Sequence, residues 1–243
     1  MSTLLNRPAP KMYEVELIKI VNEYDEVYSY YFKSNESIPF KAGHHTHLVA
    51  PNVEIERAFV RHMSIASTPK DNEIVFSMDL SSQSPYKLQF RNAKVGDRTK
   101  IFKFGGDFLL DMEKLRSKVV YIAGGIGITP IRSLIRQAEQ EKLDIQQELI
   151  YVGKGYMYTQ ELDDYGFPIK RIKRPDVPDT LKKAATEKPD ALFYICGSVS
   201  FIDAMRQQLI DFGIGVDSII VENFTKNKKP EELGENEIRI KSL

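Results

Sequence analysis

Three glycines close an apolar run in "VVYIAGGIGITPIRSLI", Val119 to Ile135. Gly124, Gly125 and Gly127 weaken local structure unless something must approach the backbone closely. The next residues suit a helix start: Thr129 can cap it and Pro130 fits its first turn. Free N–H groups and a partial positive charge at such a start attract a phosphate. The spacing is not G-x-G-x-x-G. The turn therefore reads as a phosphate or nucleotide site, or as a turn that packs a helix close to a sheet. Cys196-Gly197 ends a second apolar run and Glu222 ends a third. In open α/β sheets ligands sit at the carboxyl ends of strands, so these residues and the turn would line one crevice. Taken singly, Cys196 is a small buried hydrophobe and Glu222 a solvated charge. "GHHTHL" adds His44, His45 and His47. His45 and His47 would share a strand face at a spacing a metal could use; otherwise the three are structural or line a pocket.

The elements that would position these residues fall into two rhythms. From Lys118 onward strands and helices alternate. "KVVYIAG", "IQQELIYVG", "FPIKRIK", "ALFYICG" and "SIIVENF" read as strands. "PIRSLIRQAEQEK", "TQELDDYG", "DTLKKAATEK" and "SFIDAMRQQLIDFG" read as the helices or turns between them. In the first of these, Ile131, Leu134, Ile135 and Ala138 form one apolar face. This alternation predicts a five-stranded parallel sheet covered on both faces. The first hundred residues instead give short strands: "YEVELIKIV", "EVYSYYFKS", "HTHLVAP", "RAFVRHMSIAS" and "EIVFSMDL". Turns punctuate them, which predicts an antiparallel barrel or sandwich. "PYKLQFRN", Pro85 to Asn92, reads as a helix inserted among the strands. The change of rhythm places a boundary near Met112 to Ser117, and no repeat or low-complexity segment interrupts either half.

Composition narrows the class. The 243 residues suffice for two modest domains. Hydrophobic residues make up 42% and charged residues 28%, ordinary values for a globular protein. The formal net charge is zero, so no global field calls for nucleic acid. The single cysteine excludes an internal disulfide, fits a reducing compartment and cannot ligate an iron–sulfur cluster alone. The N-terminal stretch lacks a secretory pattern and no apolar run is long enough to cross a bilayer. A cytoplasmic protein without membrane attachment is expected.

Four motifs in order carry a resemblance. "RHMSIAS" (Arg61 to Ser67), "GGIGITP" (Gly124 to Pro130), "CGSVSFIDAM" (Cys196 to Met205) and "ENF" (Glu222 to Phe224) together resemble the ferredoxin–NADP(+) reductase superfamily. "FKAGHHTHL" resembles that family's Gly-Gln strand entry, with His44 where glutamine is usual. "SPYKLQFRNAKVGDRTKIFKFGGDF" resembles its flavin-diphosphate segment. The resemblance implies an N-terminal FAD-binding barrel at 8–112, an NAD(P)-binding α/β domain at 113–225 and a polar tail at 226–243. It implies that Arg61 pairs with the FAD diphosphate, that Ser64 donates to flavin N5, and that Pro85, Tyr86 and Lys87 hold the diphosphate. His62 and Met63 would complete the flavin site, and Phe224 would stack near the isoalloxazine. Gly124, Gly125, Gly127, Thr129, Lys154 and Gly197 would hold the dinucleotide. Cys196 and Glu222 would flank the nicotinamide, so Ser64, Cys196 and Glu222 are the implied catalytic residues; no metal is implied.

Departures from the family pattern are informative. Met63 stands where tyrosine or phenylalanine is usual, and a thioether can still cover an aromatic face. Ser198 stands where proline is common. After the second parallel strand the family's 2′-phosphate binders place serine and arginine, whereas this chain offers Lys154, a poorer phosphate fork. NADH and NADPH, and FAD against FMN, stay open at this level. The implied activity is hydride transfer from NAD(P)H to FAD, followed by electron transfer to a protein acceptor such as ferredoxin, flavodoxin or an oxygenase component. The alternatives are a reductase of free flavin, ferric chelates or quinones, and a flavin-binding subunit without turnover of its own. "KRIKRP" and "KNKK" are either solvated surface or a docking patch for an acidic carrier.

Overall fold

The structure, a computed structural model, describes residues 10–223. Phe224, the tail 226–243 and its "KNKK" run lie outside the described residues. Six strands build the first half: β1 (Met12–Tyr24), β2 (Val27–Lys33), β3 (His45–Val49), β4 (Val60–Ser64), β5 (Ile74–Asp79) and β6 (Arg98–Gly105). They pair antiparallel in the order β4-β3-β6-β1-β2-β5 and curl as a half-barrel around Leu17, Phe32, Leu48, Phe76 and Ile101, all buried. Each of the five expected strand segments supplies one strand. β6 is the strand that sequence patterning leaves unassigned. Lys100 and Lys103 break up its apolar run, and a bulge at Lys103 (φ 54°) shifts its pairing with β3. The expected helix is present as α1 (Pro85–Asn92), with Ser84 Oγ accepting from the Lys87 amide at 3.4 Å. Its Tyr86 and Phe90, four residues apart, sink into the half-barrel core.

The second half is a parallel sheet in the order β11-β10-β7-β8-β9. Its strands are β7 (Lys118–Gly124), β8 (Gln146–Val152), β9 (Ile169–Ile172), β10 (Leu192–Gly197) and β11 (Ile219–Asn223). The helices are α2 (Ile128–Glu141), α3 (Thr159–Asp164), α4 (Val177–Glu187) and α5 (Val199–Asp211). The pleat sorts the central side chains. Val120, Ile122, Phe193 and Ile195 pack under α4 and α5. Val119, Tyr121, Tyr194 and Cys196 face α2 and the half-barrel. That second cluster also contains Val27, Ala42, Ala66, Val75 and Phe108. The apolar core is therefore continuous across the seam between the halves. Among the described residues no helix is long and apolar enough to cross a membrane.

Candidate functional site

The seam brings some of the sequence-selected residues together near the expected crevice: Cys196, Glu222, His45 and Ser64. Strand register sets Cys196 beside Glu222 at the carboxyl ends of β10 and β11. Cys196 lies on the face of β10 that looks toward the half-barrel, and it is fully buried. Burial pushes its thiol well above the ordinary range, and the nearby Glu222 charge adds to this. From the other half, register sets Ser64 opposite His45 at the ends of β4 and β3. His45 then crosses the seam: its Nδ1 lies 3.4 Å from Glu222 Oε1. That contact links the half-barrel to the carboxylate expected beside a nicotinamide.

The imidazoles form a group that sequence spacing only partly foresees. His62 joins His47 because the two are cross-strand partners, and their Nε2 atoms approach to 2.6 Å. One proton serves both nitrogens. The His47 ring also stacks on Phe102 at 5.0 Å, and its Nδ1 is buried. Burial, reinforced by His62, Lys103 and His45, drives the His47 pKa down to about 3. His47 is therefore neutral at physiological pH. Among the described residues no group of three could hold a metal ion.

Around α1 the donors suit a diphosphate. Arg61 is exposed and spreads over the Tyr86 ring at 5.2 Å. Its Nη1 donates to Val60 O at 2.7 Å and Arg57 O at 3.3 Å. Tyr86 is 3% exposed, yet among the described residues its hydroxyl has no hydrogen-bond partner. Burial pushes that phenol far up, so it remains a proton donor. A buried donor without a partner costs stability unless a guest satisfies it. Pro85 and the half-buried Lys87 flank it in the first turn of α1, and Met63 packs against the half-barrel core.

The glycine turn packs the start of α2 closely against the sheet, as the second of its readings has it. A Cβ on Gly127 would lie 2.2 Å from Cys196 O, so this glycine lets the turn press against β10. Gly124 and Gly197 both abut the Phe201 ring. Gly125 differs: its φ is +54°, and a Cβ there would meet nothing within 4 Å. Open space remains where the chain enters α2. The expected cap is corrected. Gly127 occupies the N-cap position, while Thr129 lies inside α2, is 3% exposed and donates to Ile126 O at 3.0 Å. The glycines bring the helix start two residues earlier than a threonine cap would. Lys154 is exposed in the loop that follows β8.

Most of "KRIKRP" proves to be engaged within its own half. Lys170 pairs with buried Glu148 at 2.6 Å and Arg171 with Asp163 at 2.9 Å. Sequence reasoning missed the polar seam altogether. Arg132, 6% exposed at its side chain, pairs with Glu161 at 2.6 Å, and Arg136 bridges Asp71 and Glu161. The only sequence signal was two arginines four residues apart on an otherwise apolar helix.

No protein-family model matches the chain. Flavohemoprotein A of Dictyostelium discoideum is 25% identical over 232 residues, covering 84% of this chain and 58% of that protein. The carnitine monooxygenase reductase subunit of Escherichia coli K12 is 25% identical over 232 residues, covering 90% and 70%. The chain thus spans about three fifths of the flavohemoproteins it matches. Among solved structures, a ferredoxin NADP+ reductase from Neisseria gonorrhoeae, crystallised with FAD and NADP, superposes with a TM-score of 0.73 at 20% identity. That likeness covers 88% of this chain and 99% of that one. The two-part fold is that of the ferredoxin–NADP+ reductase-like oxidoreductases, and the resemblance carried by the four motifs holds.

Proposed function

We propose that the chain is an NAD(P)H-dependent flavoprotein reductase that delivers electrons to a protein acceptor. The observation that carries this is the meeting of the two halves at the ends of β10 and β11. A guanidinium and an unpartnered buried phenol stand on one side. On the other, Cys196 and Glu222 sit in register at the ends of parallel strands, tied across by His45. The flavin supplies the change from hydride to single-electron chemistry. The protein's share is positional. Arg61, the Tyr86 hydroxyl and the start of α1 with Pro85 and Lys87 hold the FAD diphosphate. Ser64 directs its hydroxyl toward the flavin ring, and His62 and Met63 line it. Gly125, with Gly124, Gly127, Thr129 and Gly197 shaping its turn, admits the dinucleotide phosphates. Cys196 and Glu222 flank the nicotinamide and shut out water. The acceptor is a ferredoxin, a flavodoxin or an oxygenase component. The single cysteine leaves no thiolate set for a cluster within these 243 residues.

The test is an absorption spectrum of the purified protein loaded with FAD, recorded anaerobically before and after NADPH or NADH. Bleaching of the flavin band is expected. Arg61→Ala should keep its fold, by circular dichroism, and weaken FAD binding about tenfold or more, the worth of a lost charged hydrogen-bond pair. A protein that takes up no FAD would end this reading.

A further inference from the structure

The inference rests on the reading that Glu222 faces a nicotinamide, and it concerns what holds that carboxylate. Glu222 lies near the end of β11, the outermost strand of the parallel sheet. Among the described residues the one strand beside it is β10, with Cys196 opposite Glu222. A glutamate at such an edge samples several rotamers unless a second group fixes it. The group within reach comes from the other half. His45 Nδ1 lies 3.4 Å from Glu222 Oε1, and the two side chains are 32% and 16% exposed. That separation is slightly longer than a good N–H···O bond, and such contacts tighten when a ligand fills the site.

The half-barrel builds His45 for this reach. β3 runs between β4 and β6, and His45 pairs with Ser64 on one side and Gly105 on the other. The pairing with β6 shifts register between His45 and His47, an irregularity of the kind that re-aims a side chain. The His62 ring lies nearly parallel to that of His45, 5.7 Å away and tilted by 14°. Gly106 borders the ring edge. A Cβ there would lie 3.1 Å from His45 Nδ1, and the φ of +124° favours glycine. Glycine therefore leaves the Nδ1 edge clear. A ring set by its backbone and by stacking holds a carboxylate at little further entropy cost. The other imidazoles have contacts within the half-barrel: His44 Nδ1 accepts from the Lys41 amide at 3.2 Å, and His47 and His62 meet at 2.6 Å. Cys196 adds no charge, because burial and the Glu222 carboxylate push its thiol far up.

We propose that His45 is the positioning residue of Glu222. It keeps the carboxylate where it attracts a positively charged nicotinamide ring, so that the protein binds the oxidised dinucleotide more tightly than a form whose ring is neutral. His45 acts through Glu222.

Difference spectra of the FAD-loaded protein test this with NADP+, whose nicotinamide is cationic, and tetrahydro-NADP, whose ring is neutral and gives up no hydride. The NAD pair is run in parallel, and the tighter-binding pair is compared. Wild type should bind the cationic form about threefold or more tightly, the worth of a partly screened ion pair. Glu222→Gln should abolish that preference. His45→Phe keeps a flat ring against His62 but has no donor, and it should lose most of the preference. His45→Asn, whose amide nitrogen falls near the place of Nδ1, should retain it. Circular dichroism checks each fold, and His45→Leu replaces the phenylalanine variant if that does not fold. A preference lost in Glu222→Gln but kept in His45→Phe would overturn the inference and leave Glu222 at the nicotinamide. Loss in His45→Phe and His45→Asn alike would make the ring a packing group and overturn it as well. No preference for the cationic ring in the wild type would overturn the inference together with the placing of Glu222. Binding of neither form would remove the dinucleotide site, and the inference with it.

Discussion

The seam between the two halves has two ends of opposite character. Along α2 it is densely bonded. Arg132 reaches Glu161 and Ala66 O and lies over the Tyr158 ring at 4.5 Å. Arg136 joins Asp71 to Glu161, and Gln140 donates to Asp71 at 2.8 Å. The Tyr158 hydroxyl bonds Ser29 and Ser77, and its amide donates to Glu23 at 3.1 Å. At the crevice end the described halves meet through the His45–Glu222 approach of 3.4 Å. Among the described residues the Tyr86 hydroxyl has no partner. The contrast fits a division of labour: one end fixes the two halves, and the other keeps its bonding capacity for guests.

The largest break in this comparison comes from Arg136→Ala. It strands Asp71 and Glu161 with less compensation, and removing one partner of a buried pair costs about 3–5 kcal/mol. Arg136 remains 21% exposed at its side chain, so the low end applies. A Tm lowered by about 6–12 °C is expected in thermal unfolding. The pH response has a definite sign. Burial pushes Asp71 up, but bonds from Arg136, Thr68 and Gln140 outweigh it, and its pKa lies below the ordinary 3.8. Glu161 is likewise lowered below 4.5 against its burial, by Arg132 and Arg136. Groups with depressed values stabilise the fold above the ordinary carboxylate range and lose that effect as pH falls through the folded values. Wild type should therefore lose stability below about pH 4.5 more steeply than the variant. A variant as stable as wild type would mean that the shared apolar cluster alone holds the seam.

A milder break acts at the crevice end. Gly127→Ala sets a methyl 2.2 Å from Cys196 O, a backbone atom that cannot swing aside. The helix start must move off β10, at a cost of about 1–3 kcal/mol typical of overpacking. Gly125→Ala meets no atom but is strained by its φ of +54°. The two variants sharpen the comparison. The first should lower both Tm and dinucleotide affinity, through a shifted turn. The second should act on dinucleotide affinity more than on Tm, because its space is where a phosphate would lie. Parallel losses in both variants would leave the turn a packing device alone.

How much of this was legible in the sequence follows from what kind of contact each feature needs. The parallel half could be read because its period is local: apolar runs of β7, β8 and β10 alternate with helices, and all five strands fall on the expected segments. Cys196, Glu222 and the glycine turn could be placed together because strand ends share an edge. β6 was hidden because its two lysines and its bulge interrupt the alternation. The helix start was misplaced at Thr129 because a glycine N-cap leaves no side-chain signal. The seam was invisible for a different reason. Asp71 and Arg136 lie 65 residues apart, and nothing local marks one for the other. The tie made by Lys173, within a run read as solvated surface or a docking patch, was invisible because its partners are main-chain carbonyls 19 and 20 residues earlier.

The smallest expected effect belongs to His47, and it probes the spare end directly. Its pKa of about 3 in the fold lies well below the ordinary 6.5, with burial as the main cause. Between these values the unfolded chain binds more protons than the folded one, so stability rises with pH. The contribution is complete above pH 6.5 and is lost as pH falls toward 3. The ring is half-buried, and solvent screening keeps the effect below about 1 kcal/mol. Chemical denaturation at pH 7 and pH 5 should show a larger loss in wild type than in His47→Gln, which carries no titrating ring. FAD binding near the imidazoles would deepen the burial of His47 and widen the gap between the two proteins. A gap that FAD leaves unchanged would place the flavin away from His47 and confine its ring to the half-barrel's own packing.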